Sequence, residues 1–201
     1  MLNFFKTIVL AVVVAALAVL FEQAIALAIS IFQQKEIIFA FYSHFTFFLA
    51  GAAVIEEVLK YGAIFFVLRN NFNSRGGHFI FLSALLGFVW GIFESALVLF
   101  SNQNAFSQLQ AGNSEIIFSL ATVIAIHTLT AFLMGLFIST GTFTGRLKHL
   151  KVVIFPVLVH LLFNFLIIQK GDFTNYLIII SIALVFLTGM SILLFNFKKL
   201  A

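Results

Sequence analysis

The sequence predicts an all-α protein, a polytopic transmembrane bundle of about six helices with both termini in the cytoplasm, and three observations predict it. Hydrophobic residues make up 63% of the 201-residue chain and charged residues only 9%, against roughly 25% charged for an ordinary soluble domain. A soluble domain of this length could not hide that much apolar surface in one core. The apolar runs are long and continuous rather than alternating, which in lipid means helices and not a barrel. The basic residues, finally, are distributed unevenly between alternate loops.

Six apolar stretches follow one another at about 7–32, 37–68, 79–100, 115–141, 152–168 and 175–196, each near or above the length needed to cross a bilayer. The first, after Lys6, has the outline of a signal peptide with a small-residue pattern at Ala26-Leu27-Ala28, but its run exceeds a usual signal core, so a retained helix is expected. The second would reach roughly 48 Å as a straight helix and must therefore tilt, bend near Gly51 or extend beyond the bilayer. The other four are of ordinary spanning length. No repeat, linker or low-complexity segment divides the chain, so residues 1–201 read as a single transmembrane domain. With no cysteine, disulfides and thiolate metal sites are excluded.

Orientation comes from the loops. Arg69, Arg75, Arg146, Lys148 and Lys151 lie in the even loops, Lys6 at the N-terminus and Lys198 and Lys199 at the C-terminus. The odd loops hold only Lys35 and Lys170. Eight basic residues against two place the even loops and both termini in the cytoplasm. The net charge of +4 thus reports topology, and nucleic acid is not an expected partner. Membrane lipid is.

Glu56, Glu57 and Lys60 in the second stretch and Glu94 in the third interrupt the apolar runs. Each costs roughly 2.5–3.5 kcal/mol at the bilayer centre, on the order of 10–14 together if unpaired. That cost implies convergence on one another or on water. His127 in the fourth stretch, with His160 and Asn164 in the fifth, completes the set. Counting from the ends of the spans, Glu56, Glu94, His127 and His160 lie roughly 27, 22, 18 and 12 Å along their helices, all in the middle band of the membrane. Glu56 and Lys60 share a helix face, as do His160 and Asn164. Two stripes of small residues, Ser83-Gly87-Gly91-Ser95 and His127-Ala131-Gly135-Ser139, would let the third and fourth helices approach closely and turn Glu94 and His127 inward.

The run Glu56-Glu57-Val58-Leu59-Lys60 resembles the Glu-Glu-x-x-Lys motif of PrsW-type membrane proteases. Phe93-Glu94, His127 and His160 follow in the order that family shows, and His160-x-x-x-Asn164 is similar to the last motif of the related CAAX-prenyl-protease and bacteriocin-processing (CPBP) group. The likeness covers about residues 51–168. Glu94 stands where the CPBP pattern has histidine, which favours the PrsW branch. The resemblance implies an intramembrane endopeptidase in a prokaryotic plasma membrane, acting on a membrane protein or a membrane-associated peptide.

Peptide hydrolysis needs an activated water, an acid for the leaving amine and donors for the oxyanion. Glu56 or Glu57 is the expected base, and a Glu56–Lys60 ion pair that only anchors helices is the plain alternative. His127 and His160 would ligate a metal or polarise water directly, the alternative being interhelical hydrogen bonds. Three carboxylates against Lys60 leave two negative charges for a dication or two protons to offset. Zinc held by the two histidines and a glutamate, with Glu57 and Glu94 as candidates beside His127 and His160, fits a metalloprotease; a metal-free glutamate and histidine mechanism fits as well. Asn164 is suited to donate to an oxyanion or to orient His160. A proton- or cation-coupled transporter would use the same cluster, although no related halves are visible. A non-catalytic membrane scaffold is the third reading. Substrate and oligomeric state have no signature in the sequence.

Overall fold

A computed structural model of the chain describes residues 2–33, 45–68, 76–169 and 171–196. Among them every regular element is helical: α1 (Leu2–Gln33), α2 (Phe45–Gly62) continued by a π-helical segment (Ala63–Leu68), α3 (Gly76–Ser101), α4 (Gln103–Gln110), α5 (Ser114–Thr140), α6 (Lys148–Gln169) and α7 (Asp172–Phe195). Five of these, α1, α3, α5, α6 and α7, are long and apolar enough to cross a membrane. The chain is a helical membrane protein on that ground. The helix α2 stands apart because Glu56, Glu57 and Lys60 fall within its 18 residues. Of the residues used for orientation, Lys35, Arg69, Arg75, Lys170, Lys198 and Lys199 lie outside the described residues, as does His44.

The long second stretch breaks its regularity after Gly62 and not at Gly51. The backbone widens into the π-helical segment within a turn of Lys60, and such widening is common beside functional residues. The uncharged connection after α3 is also not a plain loop. Asn102 caps α4, its side chain accepting from the backbone N–H groups of Asn104 at 3.1 Å and Ala105 at 3.2 Å, and Asn113 does the same for α5 through Glu115 at 2.9 Å. At its other end α5 stops at Gly141, whose φ of +62° suits a left-handed cap.

Packing centres on α3 and α5, with α1 against α2 and α3, and α6 bridging α2, α5 and α7. The small-residue stripes act as expected. A side chain at Gly87 would run into the carbonyl of His127, one at Gly91 would come 2.6 Å from the Cα of Ile124, and one at Gly135 would come 2.5 Å from the hydroxyl oxygen of Ser83. Bare backbone at these places is what brings the two helices together. The face that α1 buries is also small: Thr7, Ala11, Ala15, Ala18, Ala26 and Ser30, at steps of three, four and eight that keep to one helical face. Large apolar side chains such as Leu20, Phe100, Leu184 and Phe195 point outward, as lipid-facing residues do.

Candidate functional site

The charged residues that interrupt the apolar runs do converge. Two turns of α2 carry Glu56, Glu57 and Lys60; α3 brings Glu94, α5 brings His127 and α6 brings His160. The Lys60 ammonium donates to Glu57 Oε1 at 2.6 Å and to His127 Nδ1 at 2.6 Å. His160 Nδ1 donates to the same Glu57 oxygen at 2.8 Å, and the Thr130 hydroxyl donates to it at 3.1 Å. The other ring nitrogen of His127, Nε2, is paired with Glu94 Oε2. The result is one connected set, Glu94–His127–Lys60–Glu57–His160, that joins four helices.

These hydrogen bonds fix proton positions. An ammonium only donates, so His127 Nδ1 accepts with its lone pair and the ring proton sits on Nε2, facing Glu94. His160 carries its proton on Nδ1, facing the carboxylate of Glu57. The two imidazoles lie edge to face with centroids 4.9 Å apart.

Glu56 and Glu57 are adjacent in sequence and differently placed. Glu57 is completely buried and accepts from three donors on one oxygen. Glu56 holds Oε2 3.6 Å from His127 Nδ1 and 4.0 Å from both His160 Nδ1 and Lys60 Nζ, without a hydrogen bond to that oxygen. Access comes from the side of Glu94, whose side chain is 37% exposed while those of Lys60, Glu57, His127 and His160 are 0–3% exposed.

Three participants escape the sequence reading. Glu22 of α1 reaches the cluster, close enough to interact electrostatically with Glu56, Glu94 and Lys60, so the carboxylates around Lys60 number four and a fifth helix contributes. The signal was present: Glu22 falls in register with Ala11, Ala15, Ala18 and Ala26, the small face of α1. Thr130, three residues after His127, was indistinguishable from any helical threonine. Trp90 stacks on His127 with centroids 6.3 Å apart and lies under the Lys60 ammonium at 4.9 Å, a cation–π contact.

Asn164 is not part of the hydrogen-bonded set. Its amide donates to the Leu49 carbonyl of α2 at 3.5 Å, and it lines a separate cavity of about 250 Å³ with Leu49, Ala50, Leu161 and Phe165. His149, at the start of α6, pairs with the Tyr61 hydroxyl and ties that end of α6 to α2.

The residues whose donor atoms group together for a metal are Glu56, His127 and His160, one atom from each lying within 4.8 Å of the others. By type and separation this group could hold a metal ion, and nothing in it identifies zinc. Glu57 and Glu94, expected beside the histidines, are instead occupied with Lys60, Thr130 and the two rings. The arrangement also opposes an ion at His127 Nδ1, whose lone pair is taken by Lys60, while His160 donates through Nδ1 and keeps its lone pair on Nε2. No family model matches the chain, and no curated protein and no solved structure is found to match it.

Proposed function

We propose that this protein is an intramembrane endopeptidase of the PrsW type, hydrolysing a peptide bond in a membrane protein or membrane-associated peptide. In this reading α2 crosses with the five apolar helices, making six spans with both termini cytoplasmic, in a prokaryotic plasma membrane. One observation carries the chemistry: a buried carboxylate oxygen, Glu56 Oε2, has no hydrogen-bond partner and faces two histidines at 3.6 and 4.0 Å.

Glu56 is the base. It accepts a proton from a water set between its carboxylate and His160, and the hydroxide attacks the scissile carbonyl carbon. The C–N bond then breaks as Glu56 returns the proton to the departing amine nitrogen. Glu57 is the fixed counter-ion that positions Lys60, Thr130 and His160. Glu94 holds the His127 ring in one tautomer, and Asn164, beside the cavity between α2 and α6, binds the backbone of the incoming peptide. A metal ion at Glu56, His127 and His160 would supply Lewis-acid polarisation of the carbonyl.

The connected set from Glu94 to His160 favours one second reading, a proton or cation relay. Both are tested in one preparation. Purified protein in lipid vesicles is given fluorogenic single-span peptides, and a pH-sensitive dye is enclosed in the same vesicles. Cleavage by the wild type that disappears in Glu56→Gln supports the protease. Proton flux without cleavage supports the relay, and neither activity leaves the scaffold.

A further inference from the structure

Two of the three donors that group for a metal, His127 and Glu56, lie beside a cation of the chain itself. Lys60 Nζ stands 2.6 Å from His127 Nδ1, 2.6 Å from Glu57 Oε1 and 4.0 Å from Glu56 Oε2, fully buried, with the Trp90 ring at 4.9 Å closing one side. Ligation needs nitrogen lone pairs. The Nδ1 lone pair of His127 is accepting from Lys60, whereas His160, donating through Nδ1 to Glu57, keeps its lone pair on Nε2. A dication among these donors would also sit within a few ångströms of the ammonium. At an effective dielectric of about 20, unit charges ~4 Å apart repel enough to weaken binding on the order of 1,000-fold per unit of ionic charge.

We propose that the cluster is a divalent-cation site held shut by Lys60, whose ammonium does in the wild type what a bound ion would otherwise do. It neutralises Glu57, occupies His127 Nδ1 and leaves Glu56 Oε2 without a hydrogen-bond partner. Removing the amine has three consequences at once: it frees the His127 lone pair, leaves Glu57 without its cation, and deletes the repelling charge. The opened set is two imidazoles and two carboxylates, which suits a Zn²⁺-class ion. This inference rests on the donor geometry and stands or falls separately from peptidase activity.

The test counts ions. Wild type, Lys60→Met and Lys60→Arg are dialysed against Zn²⁺, and bound metal per chain is measured by inductively coupled plasma mass spectrometry. Titration with Co²⁺ follows its visible absorption and the quenching of Trp90, the only tryptophan of the chain. The expected result is one ion per chain in Lys60→Met and substoichiometric metal in wild type and Lys60→Arg. The apparent Kd for Co²⁺ should differ at least ~1,000-fold between Lys60→Met and wild type. Adding Glu56→Gln or His127→Ala to Lys60→Met should abolish binding. Should Lys60→Met not fold, Lys60→Leu serves in its place, since it carries neither a charge nor a donor for His127. One equivalent of Zn²⁺ in the wild type, lost with His127→Ala, would overturn the proposal. So would the absence of binding in a folded, lysine-free variant.

Discussion

The α3–α5 seam and α7 are both built from long apolar helices, and they could hardly be used more differently. Along the seam, Gly87 and Gly91 have backbone against them and Gly135 has the Ser83 side chain, at distances that leave no room for a Cβ. Glu94 and His127 meet there, on facing helices. On α7 only Thr174, Ile178 and Gly189 are buried, and Ile179, Ile180, Leu184, Phe186 and Leu187 point outward. Apolarity alone therefore says little about a helix in lipid. What separates a helix that builds a site from one that covers it is whether small residues let a neighbour approach and whether an ionisable group rides on the same face.

The sharpest test of that contrast is catalytic. Glu56→Gln should lower peptide cleavage by about 10²–10⁴-fold with thermal stability in detergent unchanged, whereas Leu184→Ala on α7 should cleave as wild type. Equal activity in Glu56→Gln and wild type would remove Glu56 from the chemistry. The next effect is on stability. Glu57→Ala removes the nearest counter-charge of the buried Lys60 and should destabilise the bundle by about 3–5 kcal/mol. Reversible unfolding in mixed detergent measures this, and Glu57→Ala with Lys60→Met should recover part of the loss. Smaller again is Gly91→Leu. Its side chain must displace the backbone at Ile124, costing about 1–3 kcal/mol and shifting Trp90 emission as the Glu94–His127 contact opens. Thr130→Val, which removes one of three donors to Glu57 Oε1, should cost about 1 kcal/mol. Leu184→Ala should fall within ~0.5 kcal/mol, and a larger loss would mean that α7 is more than a lipid-facing cover.

Much of the site was legible in the chain because ionisable residues are so costly in hydrocarbon. Glu56, Glu57, Lys60, Glu94, His127 and His160 stand out from their apolar surroundings, and helical spacing aligned them at one depth. Glu22 was as legible by the same rule, and the small face of α1 gives its phase. The sequence could not separate Glu56 from Glu57, since neighbouring residues on a helix differ by about 100° in direction. Which of the two meets Lys60, Thr130 and His160 depends on how α2 is rotated against α5 and α6. Asn164 shows the same limit. It shares a helix face with His160, yet one turn of α6 is enough to place it beside Leu49 and outside the hydrogen-bonded set.

By itself the sequence determined that the chain is helical, that it belongs in a membrane, and that its charged residues must find one another, because lipid penalises an unpaired charge and an unpaired backbone alike. Tertiary structure alone decided the pairing. It gave Glu57 to Lys60 and His160, turned the free oxygen of Glu56 toward both histidines, and put the lysine ammonium among donors that could hold an ion. Those assignments depend on helix rotation and on contacts shorter than 4 Å between residues up to 103 positions apart, which hydrophobic periodicity does not encode.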